Sequence, residues 1–304
     1  MREQDLQNLN EEDFIKQYKE TEKDKYEKPS VTTDMAIFTV VTEEAKDVRR
    51  KSDMDLRLLM IQRGGHPYKG DWALAGGFMN IDEDLDTAVQ RELKEETGVS
   101  NVYAEQLYTW SAVNRDPRMR ILSASYLALV DQEKLTPLQA GDDAEDVAWF
   151  SVRDTEISNE VKTIEREVTR TQRIKLELFK GNVVVTATIE KVSKTVGTNT
   201  KIETEIMETN GIAFDHAEII MYSLDRLRGK INYTNIVFNL VGDTFTLPDL
   251  QNVYEIIIGK KLNKVQFRRH VEDMVIDTGE VQTGGAYRPS KLYRYNTEWE
   301  YGLL

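Results

Sequence analysis

Residues 77–99 constrain the fold more than any other part of the chain. Between 84 and 97, Leu85, Val89 and Leu93 recur every four residues, so one face of a helix is apolar and must lie against a sheet. Glu92, Glu95 and Glu96 stand at i, i+3 and i+4, which stacks three carboxylates on another face. Gly98 follows where a left-handed helix terminus favours glycine. Three ionised groups so close repel one another unless cations bind between them. With no cysteine and 3 histidines in the chain, oxygen-ligated Mg2+ or Mn2+ is the natural candidate. For an arbitrary Glu-x-x-Glu-Glu, a solvated acidic helix face is the plainer alternative.

That alternative does not explain the flanking residues. Gly77, Glu83, Arg91-Glu92-Leu93, Glu95-Glu96 and Gly98-Val99 match Gly-x5-Glu-x7-Arg-Glu-U-x-Glu-Glu-x-Gly-U at every defined position, U being a large aliphatic residue. The segment resembles the Nudix box. The resemblance implies an α/β/α sandwich with a loop–helix–loop metal site, and hydrolysis of the pyrophosphate in a nucleoside diphosphate derivative. It implies Glu92, Glu95 and Glu96 as metal ligands, with the backbone carbonyl of Gly76 completing the shell. Arg91 would orient the glutamates, and Glu83 would hold Arg91 by a charge-assisted hydrogen bond. The metal would polarise the pyrophosphate and lower the pKa of the attacking water. Which carboxylate takes the proton is left open.

Substrate choice lies outside this segment. Arg63 ends an apolar strand pattern, and Arg115, Arg118 and Arg120 cluster in a short loop; guanidinium groups there suit phosphate. Tyr68, Trp72 and Trp110 are candidates for stacking a base, with a core role as the plainer reading. Trp72 is taken with Arg63, Arg115 and Arg118 as the substrate-binding set. His66 reads as loop.

The rest of the chain divides by texture. Residues 1–30 read as a charged helical arm, with a helix over 1–28 ended by Pro29. Residues 31–155 read as the Nudix unit, with strands at 31–41, 56–61, 103–110, 122–130 and 147–150. Residues 156–215 alternate and carry turn signals at Gly181-Asn182 and Gly197, as in an inserted antiparallel meander. From 216 the pattern turns helical (216–228, 233–241, 247–258, 263–274), followed by a hairpin whose loop is read at 278–285. The fold class is therefore α+β. No apolar run is long enough to span a bilayer, and the first thirty residues lack the pattern of a signal peptide. Those absences and the lack of cysteine fit a cytoplasmic protein with no membrane partner.

The net charge of −13 argues against generic attraction to nucleic acid. It is unevenly placed, because residues 216–304 hold 11 Lys+Arg against 11 Asp+Glu and are neutral. Two helices separated by residues 259–263 give a helix-turn-helix pattern there. Phe267, Val271 and Met274 form the buried stripe of the second, with Arg268 and Arg269 outward. Lys264 at its start, and Arg288 and Lys291 in the hairpin, complete the candidate DNA contacts. A helical packing or dimerisation unit is the competing reading. The segments 213–220, 226–230, 253–255, 267–269 and 288–294 resemble those of the Nudix-related transcriptional regulators of NAD metabolism. That resemblance implies a winged helix over 216–304, ADP-ribose or a related ligand, and a homodimer. Many of those regulators carry a degraded box and this chain a complete one. The favoured reading is thus an ADP-ribose pyrophosphatase yielding AMP and a sugar phosphate. The alternative is an ADP-ribose-sensing regulator of NAD or sugar metabolism that binds operator DNA.

Overall fold

Strand β1 (Ser30–Thr42) is buried from Thr32 to Val40, so both of its faces need a cover. In the computed structural model, which describes residues 9–21, 25–42, 54–100, 102–135, 144–282 and 290–300, those covers come from segments far apart in the chain. β1 lies between β2 (Met54–Arg63), antiparallel to it, and β5 (Ile121–Leu129), parallel to it. β4 (Tyr103–Trp110) flanks β5, and the short β3 (Trp72–Ala73) pairs with β2. On the far side of β2 the sheet continues through β6 (Ala144–Ile164), β7 (Glu167–Lys180), β8 (Val183–Val196) and β9 (Asn199–Asn210).

A helix at Glu11–Thr21 (α1) precedes β1; it is shorter than the 1–28 helix the sequence indicates, and ends well before Pro29. Residues 1–8 and 22–24 of that expected helix lie outside the described residues.

One face of the sheet packs on helix α2 (Leu85–Thr97). Its Val89 and Leu93 meet Met35, Ile37, Leu59 and Tyr126, as the four-residue stripe requires. Asp84 caps this helix by accepting from the Thr87 amide (2.8 Å), and Gly98 ends it in the left-handed region at φ 70°. The opposite face carries Phe38, Leu58, Met60 and Leu127. It packs on helices α3 (His216–Lys230) and α4 (Leu247–Ile258) through Ile219, Ile220, Leu224 and Val253. The second helical layer of the sandwich is therefore supplied by the C-terminal segment, and the two share one core.

The sequence boundary at 155/156 falls inside β6, which pairs with β2 through Ser151 and with β7 from there to Ile164. The meander is thus an outgrowth of the same sheet. Its base, Leu176, Leu178, Val185 and Ile189, is buried in the shared core. The asp-arginine pair of Asp154 with Arg228 (2.6 and 2.7 Å) ties β6 to α3.

Beyond α3 the reading of a helix at 233–241 is met by a 3-10 turn, Ile236–Leu240. Helix α5 (Lys264–Val271) and a hairpin of β10 (Val275–Gln282) and β11 (Ser290–Tyr295) complete the chain. β10 reaches into what the sequence assigns as the 278–285 loop. A bridge between Phe245 and Tyr293 joins the hairpin to the start of α4, as in a winged helix. Among the described residues no helix is long and apolar enough to cross a membrane.

On α3, burial pushes the Glu218 carboxyl up to about 7, with the charge of Asp215 adding to it. A raised folded-state value means stability that is complete below the ordinary carboxylate range and lost as pH rises through about 7. Glu218→Gln is therefore expected to raise unfolding free energy by roughly 2 kcal/mol at about pH 8.5 and hardly at all near pH 4. Denaturant titrations at both pH values check this; an equal effect at each would refute it.

Candidate functional site

The glutamates of α2 open onto a cleft of about 680 Å3 between the Nudix sheet and the start of α3. Glu92, Glu95 and Glu96 line it together with Gly76 and Gly77. Two glycines are required by close approach. A Cβ on Gly76, at φ 152°, would lie 1.9 Å from the Thr33 carbonyl oxygen, and one on Gly77 would lie 2.4 Å from Glu92 Oε1.

Arg91 ties the carboxylates together. Its Nη2 donates to Glu83 Oε1 (2.8 Å) and its Nε to Glu83 Oε2 (3.2 Å). Its Nη1 donates to Glu92 Oε1 (2.8 Å) and Glu95 Oε2 (3.4 Å). The hydrogen bond from Arg91 holds Glu83 below the ordinary carboxylate range, helped by the Asn80 amide. Burial pushes Glu92 up. Burial, then the charges of Glu92 and Glu95, push Glu96 up to about 7. Glu96 Oε2 is buried and has no hydrogen-bond partner. Among the described residues no group of three His, Asp or Glu side chains forms a finished cation cage. The donor set still fits a hard cation, because an orphaned carboxylate oxygen beside two like charges is the strain such an ion relieves.

The residues expected to bind substrate take different positions. Arg63 lines the cleft, its Nε donating to the Pro67 carbonyl (2.8 Å) and its guanidinium 4.9 Å from the Phe214 ring. Arg118 lines it too, half-exposed, paired with Asp116 (2.8 Å) and 6.0 Å from the Phe78 ring. Arg120 instead donates to the carbonyls of Ser111 and Ala112 and braces the loop. Arg115 lines the cleft but is no bare phosphate arm: it is buried and ion-paired with Asp34 (3.1 Å) and Asp215 (2.7 Å).

Trp72 is a correction. Pairing of β3 with β2 turns its ring into the core, 4.6 Å from Phe150 and with Lys180 over one face, so it is absent from the cleft wall. Trp110 is buried likewise, donating to Ser125 Oγ (2.8 Å).

Sequence reasoning passed over Asp34, Phe78, Phe214 and His216, which all line the cleft, and left His66, another lining residue, as loop. Tyr68 and Phe214 hold positive φ (60° and 53°), two non-glycine residues in a costly backbone region, and their tilted rings lie 4.6 Å apart. His216 is buried, and burial lowers its pKa; Nδ1 accepts from the Leu74 amide (2.8 Å), so the ring is neutral. The segment 213–220 already stood out in the sequence; what it touches did not.

The candidate DNA surface lies on α5. Asn263 caps it by accepting from the Val265 and Gln266 amides (3.0 and 3.2 Å). Phe267 and Val271 are buried, while Lys264, Arg268 and Arg269 are exposed. Lys291 is exposed in the hairpin and paired with Asp277 (2.7 Å). Arg288 lies outside the described residues.

Known proteins share both parts. A family model described as NUDIX domain matches residues 17–172, and one described as NrtR DNA-binding winged helix domain matches 237–295. The chain is 30% identical over 288 residues to the ADPR responsive transcriptional repressor NtrR of Acinetobacter baylyi, spanning 94% of this chain and 88% of that protein. It is similar to a crystal structure of a MutT/nudix family protein from Enterococcus faecalis, with TM-score 0.68, 27% identity, and coverage of 97% of this chain and 99% of the other. Shewanella oneidensis NrtR complexed with a 27mer DNA gives TM-score 0.58 and 28% identity, over 88% of this chain and 93% of that one. With the box complete, the sandwich built and the hairpin bridged to its helices, the chain belongs to the Nudix family, in the branch that joins a Nudix domain to an NrtR-type winged helix.

Proposed function

We propose that this protein is an ADP-ribose-responsive transcriptional regulator that binds operator DNA as a homodimer. The carrying observation is the composition of the cleft wall. Box glutamates supply one side, and Phe214 and His216, at the start of the helix that opens the C-terminal unit, supply another. A ligand there touches both units at once. The Acinetobacter relative, described as responsive to ADPR, supports the same ligand class. In this reading Arg63 and Arg118 take phosphate oxygens, and Phe214, whose ring lies tilted against Tyr68, offers a face to the base.

The complete box supports a second activity in the same cleft, hydrolysis of the bound pyrophosphate to AMP and ribose 5-phosphate. Glu92, Glu95 and Glu96 with the Gly76 carbonyl would hold Mg2+ or Mn2+. When bound, such an ion supplies polarisation of the pyrophosphate and a lowered pKa for the attacking water. Arg91 keeps Glu92 and Glu95 in place, and Glu83 keeps Arg91 in place.

The test is a DNA-binding titration with the gene's own upstream region, with and without ADP-ribose, in chelator so that the ligand persists. ADP-ribose should weaken DNA binding by about 5- to 150-fold, and DNA should weaken ADP-ribose binding by the same factor. No binding to that DNA at low salt, or binding indifferent to ADP-ribose, sinks the regulatory reading.

A further inference from the structure

Asp215 stands at the N-cap of α3, where an aspartate ordinarily accepts from its own helix. Here its side chain makes no capping hydrogen bond, and its backbone (φ −91°, ψ 17°) is outside the extended region that a cap uses. The carboxylate is turned onto Arg115 instead. Arg115 Nε donates to Oδ2 (2.9 Å) and Nη2 to Oδ1 (2.7 Å). Nη2 also donates to Asp34 Oδ2 (3.1 Å), whereas Nη1 makes no hydrogen bond among the described residues.

One guanidinium thus serves two carboxylates in a buried corner where His216 is neutral, leaving that group of four with one net negative charge. The two carboxylates are not equally held. Asp34 also accepts from Ser123 Oγ (2.5 Å) and lies 3.6 Å from His216 Nε2. The carboxylate of Asp215 has no hydrogen-bond partner besides Arg115 among the described residues. An anionic oxygen reaching Nη1 from the cleft adds a further negative charge to this corner, and the less anchored carboxylate is the one it displaces. Asp215 then has a second place to go, the start of its own helix, where the His216 and Glu218 amides already donate to the Ala213 and Asp215 carbonyls (3.3 and 3.0 Å) but the Ala217 amide makes no such bond among the described residues.

We infer that Asp215 is a tethered competitor for the ligand: diphosphate binding and the docking of α3 on the Nudix sheet draw on the same guanidinium of Arg115. This rests on the proposal that the cleft takes an ADP-ribose-type diphosphate. It assigns the link between the two units to one exchangeable ion pair, and makes Asp215 a determinant of ligand affinity without direct contact.

The experiment compares wild type with Asp215→Asn by calorimetry with ADP-ribose in chelator. Removing the competitor's charge should tighten ADP-ribose binding by about five- to tenfold. It should also shrink the ADP-ribose-induced fall in DNA affinity toward none. A merely structural Asp215 would leave ligand binding unchanged or weaken it, and either result overturns the inference. Should Asp215→Asn not fold, Asp215→Ser carries the same comparison, since serine restores a neutral cap acceptor. Wild type that binds no ADP-ribose overturns the proposed function and this inference together. Wild type that binds it, with a variant of equal or lower affinity, overturns only the exchange at Arg115.

Discussion

Glu96→Gln is expected to lower ADP-ribose turnover in Mg2+ by about 10²- to 10³-fold, the usual cost of losing one charge-stabilising group at a reacting centre. The fold should not suffer. Glu96 Oε2 is buried without a hydrogen bond, and burial with two neighbouring carboxylates holds its pKa up to about 7. An amide of the same shape removes a charge that the metal-free protein accommodates poorly, so the unfolding midpoint in chelator should be unchanged or higher. AMP release measured alongside thermal unfolding separates these effects. Turnover within twofold of wild type would remove Glu96 from the proposed metal set, and wild type that releases no AMP would remove hydrolysis from the reading altogether.

The second large effect concerns DNA. Arg268→Ala combined with Arg269→Ala should weaken operator binding by roughly 10²-fold or more near physiological salt. The body of the protein is acidic, with a net charge of −13, so only local basic residues can hold a duplex. Both arginines are exposed on α5, Arg269 opposite the buried Phe267 and Val271 and Arg268 on its flank. If each meets a phosphate, the double variant should also flatten the plot of log affinity against log salt by about two. Anisotropy titrations at several salt concentrations measure both quantities. A double variant that binds as tightly as wild type would dismiss α5 as the recognition helix.

Local pattern carried far in this chain. Helix α2, its cap glycine and its acidic face were readable because they rest on contacts within four residues, and in the structure Arg91 is hydrogen-bonded to both Glu83 and Glu92. The strands of the meander were readable from alternation. What could not be read depends on pairing across long stretches. Arg115 looked like a phosphate arm because its partners, Asp34 and Asp215, lie 81 and 100 residues away. Trp72 looked like a stacking ring because nothing nearby shows which way a two-residue strand turns it. The position of 155/156 inside a strand was hidden for a related reason. Past the core, β6 turns polar and goes on pairing with β7 as far as Ile164, with one register shift between Glu156 and Ser158, so the change in composition coincides with the emergence of the sheet into solvent. Phe214 and His216 reach the cleft only because β9 returns the chain to the edge of β3, where the Trp72 amide donates to the Gly211 carbonyl (2.8 Å).

The position of β1 has a consequence for synthesis. Among the described strands it is made first, yet its parallel partner β5 is not complete until residue 129, and its second cover, α3, not until residue 230. At ribosomal speeds the gap to β5 leaves a run of buried-type residues with an open edge for roughly 5–20 s. Such an edge is a template for pairing with other chains. Nascent chains of this protein should therefore engage holdase chaperones early and let go late, after α3 has emerged, and the yield of folded protein should depend on elongation rate more than the stability of the finished molecule would indicate.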